Sequence, residues 1–161
     1  MSVRFAAFIS LLLGLLAVAT AGAAGAIPLV DAAERGNLTE VRALIKQGSD
    51  INAARVDGLT ALHAAVYTDR LDVVETLLAA GARATGTDRY GVTPLYLAAV
   101  NGNADVIRRL LAAGADANGV DAGGETVLMT AARTGNPAAL RALLERGAKV
   151  DAMPVVVVHA L

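Results

Sequence analysis

Histidine is the side chain best suited to proton transfer or metal ligation near neutral pH, and this 161-residue chain has two, His63 and His159. His63 sits in "VDGLTALHAA", between a leucine and two alanines. A catalytic histidine needs a nucleophile to deprotonate and a third group to orient it. A zinc site needs three or four nitrogen, sulfur or carboxylate ligands that converge. There is no cysteine, which removes thiolate nucleophiles, thiolate metal sites and disulfides together. The remaining groups for hydrolytic chemistry are carboxylates, of which Asp57, Asp88, Asp121 and Glu125 lie in Gly- and Asp-rich segments. A hydrolase that pairs an acid and a base from among them is the weakest rival reading, since nothing in their spacing pairs them. The stretches "GTDRYGVT" and "DAGGET" lack the G-x-x-x-x-G-K-S/T order of a phosphate-cradling loop. A formal charge of −1, with Arg108-Arg109 as a solvated helix face, gives no basic patch for nucleic acid. The chemistry-bearing residues therefore point away from an enzyme, and no cofactor or metal is expected.

What these residues do have is regular spacing. Thr60, Thr93 and Thr126 are 33 residues apart, and Leu29, Leu62, Leu95, Leu128 and Leu161 keep the same step. So do Gly48, Gly81, Gly114 and Gly147, and the pairs from Leu44-Ile45 to Leu143-Leu144. Four ladders with one period mark a repeat protein. Each period opens on a threonine suited to cap a helix, and Pro94 follows one of them at a position where a missing N–H costs nothing. A short helix rich in small residues comes next and is broken by "NGN" or "TGN". A second helix places apolar residues at i, i+3 and i+4, as in Val106, Ile107, Leu110 and Leu111. Gly81, Gly114 and Gly147 are placed to end these second helices as left-handed caps.

With "VDGLTALHAA…VVETLLAAGA" and "RYGVTPLYLAA…VIRRLLAAGAD" the sequence resembles the ankyrin repeat over about residues 27–152. The resemblance implies an all-α solenoid of about four repeats, roughly 27–53, 54–86, 87–119 and 120–152, whose paired helices are joined by β-hairpin-like turns. The first repeat lacks the threonine and its turn, as a capping unit would. Asp69 stands where other repeats have glycine and can still take a left-handed turn, at some cost. His63 falls on the histidine of the family's T-P-L-H motif, which ties neighbouring turns together. Tyr96 and Met129 occupy the matching positions, so the role is one of packing. Thr60, Thr93, Thr126, Gly81, Gly114, Gly147 and His63 are thus read as structural.

The resemblance also implies a protein partner, gripped by turn tips and exposed inner-helix positions. By register these are Glu34, Arg35, Val56, Asp57, Leu59, Tyr67, Thr68, Arg89, Tyr90, Val92, Val100, Asn101, Ala122, Gly123, Glu125, Arg133 and Thr134. Aromatics and arginine dominate interface energetics, which singles out Tyr67, Arg89, Tyr90 and Arg133, with Asp57, Leu59, Asn101 and Glu125 beside them. A monomer is expected.

The N-terminus is of another kind. "MSVRFAAFISLLLGLLAVATAGAAGA" has one positive charge, an apolar run from Phe5 to about Ala21, and then small residues. That is the layout of a secretory signal peptide spanning residues 1–26, cleaved after Ala26 or after Ala21. Its loss leaves a net charge of −2 and a secreted or periplasmic protein. The rival reading keeps the run as an uncleaved helix tethering the repeats to a membrane. Residues 153–161, "MPVVVVHAL", run in register with the start of a fifth repeat but lack its polar turn residues. They are read either as a degenerate start of that repeat or as a tail.

Overall fold

The computed structural model describes residues 27–151. The expected signal peptide and the segment 153–161 lie outside the described residues.

Among the described residues, eight helices follow one another in four antiparallel pairs. They are α1 (Pro28–Glu34) with α2 (Leu38–Lys46), α3 (Ala61–Tyr67) with α4 (Leu71–Ala79), α5 (Pro94–Asn101) with α6 (Ala104–Ala112), and α7 (Val127–Thr134) with α8 (Pro137–Glu145). The odd-numbered helices stack on one another as one row and the even-numbered ones as a second. This is the two-layer solenoid, all α, that the period requires. Helices of seven to nine residues are too short to hold alone, and the apolar seam between rows stabilises them. That seam is built from small and medium side chains. Leu29, Leu62, Leu77, Leu95, Ile107, Leu110 and Leu143 are its largest fully buried members, with Ala65, Ala98 and Ala131 allowing the odd row to pack closely.

Capping sets where each helix starts. The hydroxyls of Thr60, Thr93 and Thr126 accept from the N–H groups of His63, Tyr96 and Met129. Asn37, Asn103 and Asn136 do the same for α2, α6 and α8, and Pro94 and Pro137 take first-turn positions. The chain passes Gly81, Gly114 and Gly147 at φ of +94°, +92° and +84° after α4, α6 and α8. Among the described non-glycine residues only Asp69 has positive φ, at +57°. It keeps the conformation of Gly102 and Gly135 one and two periods on.

The segments between pairs fold back as tight turns. Two of them carry isolated antiparallel bridges, Ala54 to Thr60 and Val120 to Thr126. In the third and fourth turns one carboxylate organises the loop. Asp88 Oδ1 accepts from the N–H groups of Tyr90 and Val92, and Asp121 Oδ1 from those of Gly123 and Glu125. In register with them the second turn has Arg55, which instead pairs with Asp31 and Glu34 of α1. This ion pair fastens the second turn to the first helix pair.

Candidate binding face

His63 is fully buried at the foot of the second turn. Its Nδ1 faces the Thr60 hydroxyl at 2.8 Å and the Thr60 N–H at 3.4 Å, completing a reciprocal cap with the threonine. Its Nε2 lies 3.2 Å from the Val92 carbonyl of the next turn. An Nδ1 that accepts and an Nε2–H that donates is the neutral imidazole with its proton on Nε2. Burial pushes the His63 pKa down, against the Val92 carbonyl and the carboxylates of Asp88 and Asp57, which favour the charged form. Both nitrogens are engaged with backbone or cap, so neither is available to a substrate. Among the described residues no group of three or more His, Asp or Glu side chains is placed to hold a metal ion.

Chemistry is therefore concentrated at the exposed ends. Tyr67 closes α3 with 70% of its surface exposed, and Tyr90 is 60% exposed at the tip of the third turn. The Arg89 guanidinium lies 4.9 Å from the Tyr90 ring centre and donates to its hydroxyl at 2.7 Å. A cation stacked on an aromatic face is a rigid, amphipathic surface element. Val56, Val100 and Val120 are likewise exposed, Val56 by 90%. Tyr67, Val100 and Arg133 are one period apart, so successive odd-row helices present them at the same place.

The other candidate residues are tied into the frame to different degrees. Arg133 pairs with Glu125 at 2.9 Å, and Thr130 donates to the same carboxylate. Asp57 accepts from the Leu59 N–H, and its carbonyl accepts from the Arg89 N–H of the next turn at 2.9 Å. Leu59 is half-buried against the core. Asn101 donates across to the Val66 carbonyl at 2.7 Å, so its amide holds α5 to α3.

Several cross-period ties carry no mark in a local reading. Asn52 grips the next unit through the Gly81 carbonyl and the Arg83 N–H, and Asn118 does so through Gly147 and Lys149. Asn103 reaches back to the Asp69 carboxylate and Asn136 to the Gly102 carbonyl. The signal that could have found them is the period itself, since Asn52 and Asn118 are two 33-residue steps apart and Asn103 and Asn136 one.

A family model for ankyrin repeats, three copies long, matches residues 5–88 and again 80–153. The chain belongs to the ankyrin-repeat family. No curated protein matches it. Ankyrin repeats are in general a protein-interaction module, and the geometry is of a piece with that: a bonded frame of caps and ties, with aromatic, arginine and valine side chains turned out at its turn tips and odd-row helix ends. Among the described residues no helix is long and apolar enough to cross a membrane.

Proposed function

We propose that this ankyrin-repeat protein is an exported, non-catalytic binding module. It grips another exported protein through the concave face formed by its turn tips and odd-row helix ends, and so protects, inhibits or scaffolds that protein. The observation that supports this reading best is the Arg89–Tyr90 stack, held out at a turn tip whose backbone is fixed by Asp88. Rigid aromatic and arginine anchors bind with little ordering cost. Export is proposed from the sequence of residues 1–26, and the secreted or periplasmic compartment follows from it.

The test uses the chain expressed in full and recovered from the exported fraction. N-terminal sequencing should find a start at Ile27 or Gly22, and a start at Met1 or Ser2 would give the membrane-tethered reading instead. Replacing Tyr67, Arg89, Tyr90 and Arg133 together with alanine should abolish capture of the partner while leaving far-UV circular dichroism unchanged. Capture that survives this variant places binding on another surface.

A further inference from the structure

Residues that build the frame recur at the 33-residue step, and the even row departs from that rule at two arginines. Arg109 of α6 is in register with Ala43, Thr76 and Ala142, and Arg146, just after α8, with Gln47, Ala80 and Ala113. Every other repeat does without a charge at these two places, so the stack itself asks for none. Both side chains are exposed, and stacking brings them to one groove built from even-row residues.

The groove crosses three repeats obliquely. It runs from Leu71 at the start of α4, over Asp105, Arg108, Arg109 and Ala112 on α6, to Arg146 beyond α8. Its volume is about 390 Å³, within the range of clefts that hold ligands. The four α6 residues are spaced i, i+3, i+4 and i+7, a single helix face about 10 Å long. The sequence predicts only a solvated face for Arg108 and Arg109, because nothing local shows that Arg146 joins them.

The charge in this groove is not balanced from within. Arg108 donates to Asp105 at 2.5 Å, and Arg109 approaches Glu75 of α4 with its Nε at 2.8 Å. Both pairs are exposed and therefore weak, and each guanidinium has five N–H donors to offer. Arg146 takes part in none of the ion pairs formed among the described residues. Three guanidiniums thus stand against two carboxylates, with Leu71 and Ala112 as apolar surface beside them.

The ligand chemistry that fits is a carboxylate-bearing chain. A guanidinium takes a carboxylate through two parallel N–H groups, and a peptide can place its carboxylates singly, between Asp105 and Glu75. A nucleic-acid strand carries a charge every few ångström of its backbone, and those two carboxylates would repel part of it. We propose that this groove is a second binding site, for an extended acidic segment of a protein partner, with Arg109 and Arg146 each holding a carboxylate. It belongs to the even row, whereas Tyr67, Arg89, Tyr90 and Arg133 belong to the odd row and the turns, so it does not depend on the binding face proposed above.

Fluorescence anisotropy of the full chain with a dye-labelled peptide of alternating glutamate and alanine, about ten residues long, tests it. Low ionic strength leaves surface charge least screened, and the native chain should there bind the peptide saturably. Arg109→Ala with Arg146→Ala should weaken binding at least about tenfold. Alanine already stands at both places in other repeats, so far-UV circular dichroism should not change. Arg42→Ala with Arg141→Ala removes the same charge from exposed even-row positions outside the groove and should change affinity less than about twofold. The alanine variant at Tyr67, Arg89, Tyr90 and Arg133 should bind the peptide as the native chain does. Equal weakening by both arginine pairs would mean diffuse charge in place of a groove, and overturns the proposal. So do a native chain that does not bind saturably, loss of helicity in the groove variant, and loss of peptide binding in the variant at Tyr67, Arg89, Tyr90 and Arg133. A thymidine oligonucleotide that binds more tightly than the peptide overturns it by making the occupant a phosphate backbone. A dimer in sedimentation that the groove variant dissolves overturns it by making the occupant a second copy of the chain.

Discussion

At the scale of a single residue, His63 shows how a group with reactive chemistry is turned into a structural part. Its Nδ1 accepts from Thr60, so a proton added there would face a donor, and the fold holds the imidazole neutral. The direction of the resulting pH dependence is fixed by linkage. The unfolded chain's imidazole titrates near its ordinary value of 6.5, and burial lowers it in the fold. Below 6.5 the unfolded state therefore binds more protons than the folded one. The stability held through His63 is complete above that pH and drains away as pH falls from there toward the lowered folded value. Urea midpoints of the native chain should fall between pH 7.5 and pH 5.5, and the fall should shrink in His63→Gln. An equal fall in both would assign the effect to other groups. Truncation to alanine removes the cap partner and the Val92 bond, and should cost about 1–3 kcal/mol at pH 7.5.

At the scale of an element, the turns carry the fold's specificity, and two in-register glycines separate the reasons for it. Gly58 and Gly91 both have left-handed φ, +84° and +77°, which costs an L-residue about 1–2 kcal/mol. Only at Gly58 would a Cβ also strike the following turn's backbone. Gly91→Ala should therefore lose roughly the left-handed cost alone. Gly58→Ala should lose at least about 1 kcal/mol more, because the third turn cannot retreat without breaking the Arg89–Asp57 bond. Equal losses in chemical denaturation would mean the second turn is looser than its contacts imply. Much of this level was legible in the sequence. Threonine before an apolar run, proline at a first turn and glycine after a last turn are local signals, and each has a local physical cause. The ties between repeats were not legible in the same way. Asn52, Asn103 and Asn136 are asparagines near turns, where such residues are common, and their partners lie 29 to 34 residues away. Arg55 was hidden for another reason. It occupies the place of a turn aspartate, and only the approach of α1 shows that its charge answers Asp31 and Glu34.

At the scale of the whole molecule, a stack in which each unit touches only its neighbours has stability that adds along one dimension. The same lesion should then read out differently according to where it lies. Leu110 in α6 and Leu143 in α8 are one period apart, chemically identical and both fully buried. Truncating either to alanine leaves a comparable cavity and a loss of about 2–5 kcal/mol. Leu110 has repeats on both sides, and weakening it removes support from both, so Leu110→Ala should melt in one transition at lower temperature. Leu143 belongs to the last described repeat, which packs on described neighbours from one side only. Leu143→Ala should split the melt into an early phase carrying the helicity of α7 and α8 and a later phase close to that of the native chain. Circular dichroism at several scan temperatures distinguishes the two shapes directly. If Leu143→Ala instead lowers a single sharp transition as far as Leu110→Ala does, coupling across the third junction holds the stack as one unit. The α6–α8 packing and the Asn118 bonds to Gly147 and Lys149 would then carry it.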